Sequence, residues 1–159
     1  MKPLRELVIP HSFKGSEGYA LLALRVMVGV AFVIHGLPKI EHATTWMSAT
    51  RGAGAFAPWL QVIGALVEFL GGIALVIGFA SRLATALICV EMSVATFIVE
   101  IAGGARFSVG PNPFELPLLY FVVTLAMLLL GPGRFSVDYV LHRARVPHRL
   151  HIRLLKRAS

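Results

Sequence analysis

Arg25, Glu68 and Glu91 each interrupt a separate run of about twenty mostly apolar residues, the length that spans a bilayer. A charge at the centre of such a helix costs about 2.5–3.5 kcal/mol on insertion scales, so it is expected to turn inward and find a partner. Counting from the ends of the runs, Glu68 and Glu91 fall near mid-bilayer. Arg25 falls about 6 Å nearer the cytoplasm at 1.5 Å of rise per residue. A guanidinium reaches that far, so an Arg25–Glu68–Glu91 cluster is expected. One arginine and two carboxylates leave a surplus of −1, which a low dielectric is expected to relieve by keeping a proton on one carboxyl. A carboxyl that gains and loses a proton inside a membrane suits proton-coupled redox chemistry or transport. The plainer reading makes the same three residues polar glue for a helical bundle.

A second polar layer lies toward the opposite face and contains His35, Lys39, Glu41, Glu100, Glu115 and Arg106. Of these, His35, Lys39, Glu100 and Glu115 are the substrate-binding candidates, placed to meet a polar headgroup or solute at the outer mouth. His35 also reads as a hydrogen-bonded packing residue. No second spanning histidine stands ready to share a haem, and no Cys/His set has the spacing of a zinc or iron–sulfur site, so no metal is expected. Glu91 and Glu100 are nine residues apart, about 180° on an ideal helix. The third run must therefore touch protein on both sides or release Glu100 into the interface. The chain has no Gly-rich phosphate loop and no nucleophile with a positioned base, so the residues name no reaction.

The elements that must position these groups follow from hydropathy. Of 159 residues, 57% are hydrophobic and only 14% charged, with a mean hydropathy of +0.77; an average soluble domain carries about 25% charge. The expected fold is all-α: an integral membrane four-helix bundle with spans near 19–37, 59–79, 83–102 and 115–130 and both termini cytoplasmic. Gly29 and Gly36 share a face with Arg25. Gly64, Gly71 and Gly72 share one with Glu68, and small residues let membrane helices approach closely. Trp46 and Trp59 are expected in the headgroup zone. Gly131, Pro132 and Gly133 should end the fourth helix, and Ser136 should cap a short interfacial helix to about residue 141.

Orientation follows from the basic residues. With both ends inside, Lys2, Arg5, Lys14, Arg82, Arg134, Arg143, Arg145, Arg149, Arg153, Lys156 and Arg157 are cytoplasmic, against Lys39, Arg51 and Arg106 outside. This is the positive-inside bias. The chain divides into a cytoplasmic segment (1–18), a membrane domain (19–141) and a basic tail (142–159). The net charge of +7 does not indicate nucleic acid, because the tail arginines follow an apolar run and suit anionic lipid headgroups. The tail reads as a lipid-anchored amphipathic segment or, alternatively, a dock for a soluble partner. Met1 to Gly18 is polar and mixed, unlike a cleavable signal. Cys89, the lone cysteine, reads as packing.

Four motifs in order resemble the DoxX family of four-span membrane proteins. They are Arg25, Gly29, His35, Gly36 and Lys39 in span 1; Glu68, Gly71, Gly72, Leu75 and Gly78 in span 2; the turn from Ser81 to Thr85; and the closing run from Gly131 to Asp138. The resemblance covers about residues 19–141. Its wider clan includes a membrane subunit of thiosulfate:quinone oxidoreductase, a protein that matures a periplasmic amine dehydrogenase, and a eukaryotic cargo receptor. Bacterial members are associated with thiol-redox and oxidative-stress partners. The resemblance therefore implies a redox-associated inner-membrane subunit that meets quinone or a redox partner enzyme. The alternatives are a non-enzymatic scaffold for a soluble partner, or a small proton-coupled transporter working as a homo-oligomer.

Overall fold

The computed structural model describes residues 15–47, 56–110 and 112–145, and every regular element among them is helical. The expectations for Lys2, Arg5, Lys14, Arg51, the chain ends and the basic tail past residue 145 lie outside the described residues. Helix α1 is Ser16–Glu41 and α2 is Pro58–Ile77. Helix α3 covers Ser81–Ile101, α-helical as Ser81–Ser93 and π-helical as Val94–Ile101. Helix α4 is Glu115–Leu130 and α5 is Val137–Arg145. The first three are long and apolar enough to cross a membrane, as expected of a multi-pass membrane protein. Helix α4 is apolar but has 16 residues, a rod of about 24 Å.

Packing of α1 on α2 sets the register of the whole site. A Cβ built on Gly29 would lie 2.8 Å from the Gly72 carbonyl oxygen, and one on Gly36 would lie 2.6 Å from the Phe69 nitrogen. A Cβ on Gly72 would meet the Val33 nitrogen at 2.7 Å. Backbone lies against backbone here, which only missing side chains permit. The antiparallel pairing places Gly29 opposite Gly72 and Val76, and Gly36 opposite Phe69. Phe32, Leu75, Ile88, Met92 and Met127 fill the core, while large apolar side chains such as Met27, Ile34, Leu83 and Leu129 face outward, the pattern of a bundle solvated by lipid. Helix α1 meets α4 at few points, chiefly where Phe32 packs on Tyr120 with ring centres 5.0 Å apart.

The chain from 131 to 138 folds back on the ends of α1 and α2. Ser136 Oγ accepts the Tyr139 amide at 3.1 Å and donates to the Gly133 carbonyl, capping α5. That helix continues past residue 141 to Arg145. Gly78 closes α2 with φ of +78°, a conformation other residues adopt at a cost, and a Cβ there would meet Ser136 at 2.8 Å.

Candidate functional site

Arg25 is 3% exposed, yet it does not join the carboxylates. Its Nη1 donates to the Pro132 carbonyl at 2.7 Å and its Nη2 to the Phe135 carbonyl. The guanidinium carbon would sit 3.0 Å from a Cβ on Gly78. Gly78 is ten residues beyond Glu68 on α2, about 15 Å of helix rise. Side chains lean toward the N-terminus of their own helix, so Arg25 is aimed away from Glu68 and toward the end of the bundle where α1 begins. This corrects the expected Arg25–Glu68–Glu91 cluster. Asp138 supplies the opposite charge near Arg25. Its carboxylate accepts the Ala80 and Ser81 amides, both at 2.8 Å, at the start of α3. Arg25, Gly78, Ser81 and the 131–138 run thus form one knot at that end, the inner one in the expected orientation.

Lys39 takes the place expected of Arg25. It lies two residues before the end of α1, and the same backward lean carries its ammonium down the helix instead of up to the interface. Lys39 Nζ stands 2.7 Å from Glu68 Oε1. Glu68 is at the eleventh position of the 20 residues of α2, midway along a rod of about 30 Å. Its side chain is 3% exposed and Oε2 has no hydrogen-bond partner. Glu91 approaches from α3, and its Oε1 would lie 3.0 Å from a Cβ on Gly64. Glu91 Oε2 is also buried without a partner. The absent side chain at Gly64 makes room for Glu91. Gly71, about two turns further along, makes room for Ile88 from α3, which would lie 3.1 Å from a Cβ there.

The loop after α1 covers this group. Trp46 was expected at the headgroups with Trp59. Trp59 is 63% exposed, but Trp46 turns inward, with Lys39 Nζ 4.2 Å from its ring centre. Trp46 Nε1 donates to the Gln61 carbonyl at 2.9 Å, and the Met47 amide donates to Gln61 Oε1 at 2.9 Å. Gln61 Nε2 donates to the Phe56 carbonyl at 2.7 Å. One amide side chain therefore ties both ends of the loop. Sequence reasoning passed over Gln61 and the Lys39–Glu68 pair. A signal existed for each: an amide in the first turn of a span, and the direction in which a lysine near a helix C-terminus must point.

The remaining outer candidates do not converge with them. His35 is exposed at the seam between α1 and α4, its ring 6.3 Å from that of Tyr120 and nearly perpendicular. Glu100 lines a shallow hollow with Arg106 and Asn112 beyond the end of α3. The π-helical stretch from Val94 bonds i to i+5 and turns less per residue than an α-helix, so Glu91 and Glu100 are no longer on opposite faces. Glu100 itself is half-buried. Glu115 is exposed in the first turn of α4, where a carboxylate complements the helix dipole. Among the described residues no three His, Cys, Asp or Glu side chains converge as a metal-ligand set.

In charge terms, the ammonium of Lys39 pairs with one of two carboxylates. Glu68 Oε2 and Glu91 Oε2 are each buried without a hydrogen-bond partner.

Comparison with known proteins places the chain in a family. It is 33% identical over 121 residues to an uncharacterized protein of Haemophilus influenzae, covering 76% of this chain and 89% of that one. A second uncharacterized protein of the same organism is 25% identical over 135 residues, covering 80% of this chain and 86% of its own length. No solved structure matches significantly. The family model for DoxX matches residues 20–101, which include Arg25, Lys39, Glu68, Gln61 and Glu91, and the chain belongs to the DoxX family.

Proposed function

We propose that this protein is a redox-associated component of the inner membrane that binds a quinone, or a redox partner enzyme, at a proton-handling site formed by Lys39, Glu68 and Glu91. The reading takes α4 as a fourth, shortest span and, on the excess of basic residues assigned inside, takes both termini as cytoplasmic. The observation that carries the reading is Glu68: a carboxylate midway along a membrane helix, paired through one oxygen and unpartnered at the other. In this reading a proton carried by the two acids meets the unpartnered oxygen and is available for exchange.

Quinone chemistry suits the surroundings. Oxidation of a hydroquinone releases two electrons and two protons. The electrons leave to the partner enzyme, and the protons need a carboxylate reachable from the membrane interior. Lys39 is one-quarter exposed and is placed to donate to a quinone carbonyl. His35 and Tyr120, at the loosely packed seam of α1 and α4, mark the side from which a lipid-soluble ring can approach. Arg25, tied into the inner knot, acts in this reading through the fold.

The test uses full-length protein in nanodiscs. Dicyclohexylcarbodiimide, which reacts with protonated carboxyls from the lipid phase, should modify Glu68 or Glu91, and a short-chain ubiquinone should slow that reaction. Glu68→Gln and Glu91→Gln should each abolish quinone binding while keeping the melting profile. Quinone binding undiminished in the double variant would discard the site as its locus. Folded variants that keep full biological activity would instead point to a scaffold.

A further inference from the structure

The Trp46 side chain, just after α1, does not stay at the membrane surface. If α2 spans the hydrocarbon with its roughly 30 Å, its first residue, Pro58, marks the outer boundary. Trp46 is bonded to Gln61, three residues inside that boundary. Its ring also lies 3.7 Å from the Cβ position of Gly64, six residues inside and so about 9 Å deep. Polar groups at membrane depth are tolerated only where protein satisfies them. Gln61, 1% exposed, does so: its carbonyl takes the Trp46 indole N–H, its Oε1 takes the Met47 amide, and its Nε2 donates to the Phe56 carbonyl. The His42 carbonyl takes the Thr45 and Trp46 amides. Met47, 5% exposed, packs beneath.

We infer that Gln61 and Trp46 are positioning residues for the site: Gln61 holds Trp46 as a roof dipped into the outer leaflet, and the indole holds Lys39 on Glu68 and keeps outside water from the carboxylates. The inference rests on the proton-handling reading for its purpose but not for its geometry. The indole face attracts the ammonium by cation–π contact, which strengthens when water is absent. Glu91 Oε1 and the Trp46 ring share the space that Gly64 leaves open, so displacing the roof exposes both acids together. Water then reaches the site from outside only when the roof lifts.

Two reagents separate the roof from the site. In nanodiscs, a water-soluble carbodiimide should leave Glu68 and Glu91 of the wild-type protein unmodified. Gln61→Ala or Trp46→Ala should raise its yield by about tenfold, the factor that about 1.4 kcal/mol of lost hydrogen bonding carries. Modification by the lipid-soluble reagent should be unchanged in both. A second measurement does not depend on those variants folding. In Trp59→Phe, Trp46 fluorescence should be blue-shifted and resistant to iodide, whereas Trp59 in Trp46→Phe should be quenched readily. Equal iodide quenching of the two, or water-soluble labelling of the wild type matching that of Gln61→Ala, overturns the roof. Failure of the lipid-soluble reagent alone removes the protonated carboxyl and leaves the iodide result to decide the roof.

Discussion

The Arg25 knot and the Lys39–Glu68 site both bury charge, and they do so in opposite ways. At the knot, Arg25 places its two terminal nitrogens on carbonyls of a neighbouring turn, and Asp138 places both oxygens on backbone amides. Each charge is anchored to main chain, which cannot move away without unravelling a helix end. At the Lys39–Glu68 site, side chain faces side chain: Lys39 on Glu68, Glu91 alongside, an indole above. These contacts change by rotamer alone. Both sites leave buried polar atoms unanswered, but those of the knot are nitrogen donors and a hydroxyl (Arg25 Nε, Arg82 Nε, Ser81 Oγ), whereas those of the other site are carboxylate oxygens. Burying an ion is therefore not a mark of function by itself. What the ion is tied to decides whether it can move without unfolding a helix end.

Substitutions should divide along that line. Arg25→Met strands the Pro132 and Phe135 carbonyls and should cost the most, about 4 kcal/mol of stability by thermal unfolding in detergent, since each unsatisfied buried group costs about 1–3 kcal/mol. Carbodiimide labelling of the molecules that stay folded should not change. Lys39→Met leaves Glu68 uncompensated and should cost about 3 kcal/mol, while Lys39→Met with Glu68→Met should recover most of it, because a buried pair replaced whole by apolar groups is nearly neutral. A double variant no more stable than the single one would show the pair to be something other than an ion pair. Gly72→Ala puts a methyl group against the Val33 nitrogen and should cost about 2 kcal/mol through overpacking, lowering unfolding temperature with no change in which carboxyl reacts. Asp138→Ala removes the acceptor at the start of α3 and should cost about 1 kcal/mol, again without touching the outer chemistry.

Hydropathy located the first three long helices within a few residues, because a bilayer's thickness and the cost of exposed backbone leave few other solutions. The partner of Glu68 was not legible in the same way. Depth counted separately along each span treats every helix as its own ruler, and that put Arg25 within reach of Glu68. The true ruler is the contact of Gly29 and Gly36 with α2, which slides Arg25 opposite Gly78 and leaves Lys39 near Glu68. Trp46 was misplaced for a related reason: indoles favour interfaces on average, and nothing in residues 42–47 announces that Gln61 will draw them inward. The separation of Glu91 from Glu100 was read from ideal helical geometry, which the π-helical stretch after Ser93 does not obey.

Unequal rods also shape the lipid around them. Helix α1, with 26 residues, measures about 39 Å, and α4, with 16, about 24 Å. If α4 also crosses the bilayer, a membrane that fits the first rod is too thick for the second, and the lipids beside α4 would thin to meet it, at a fraction of a kcal/mol per ångström of mismatch.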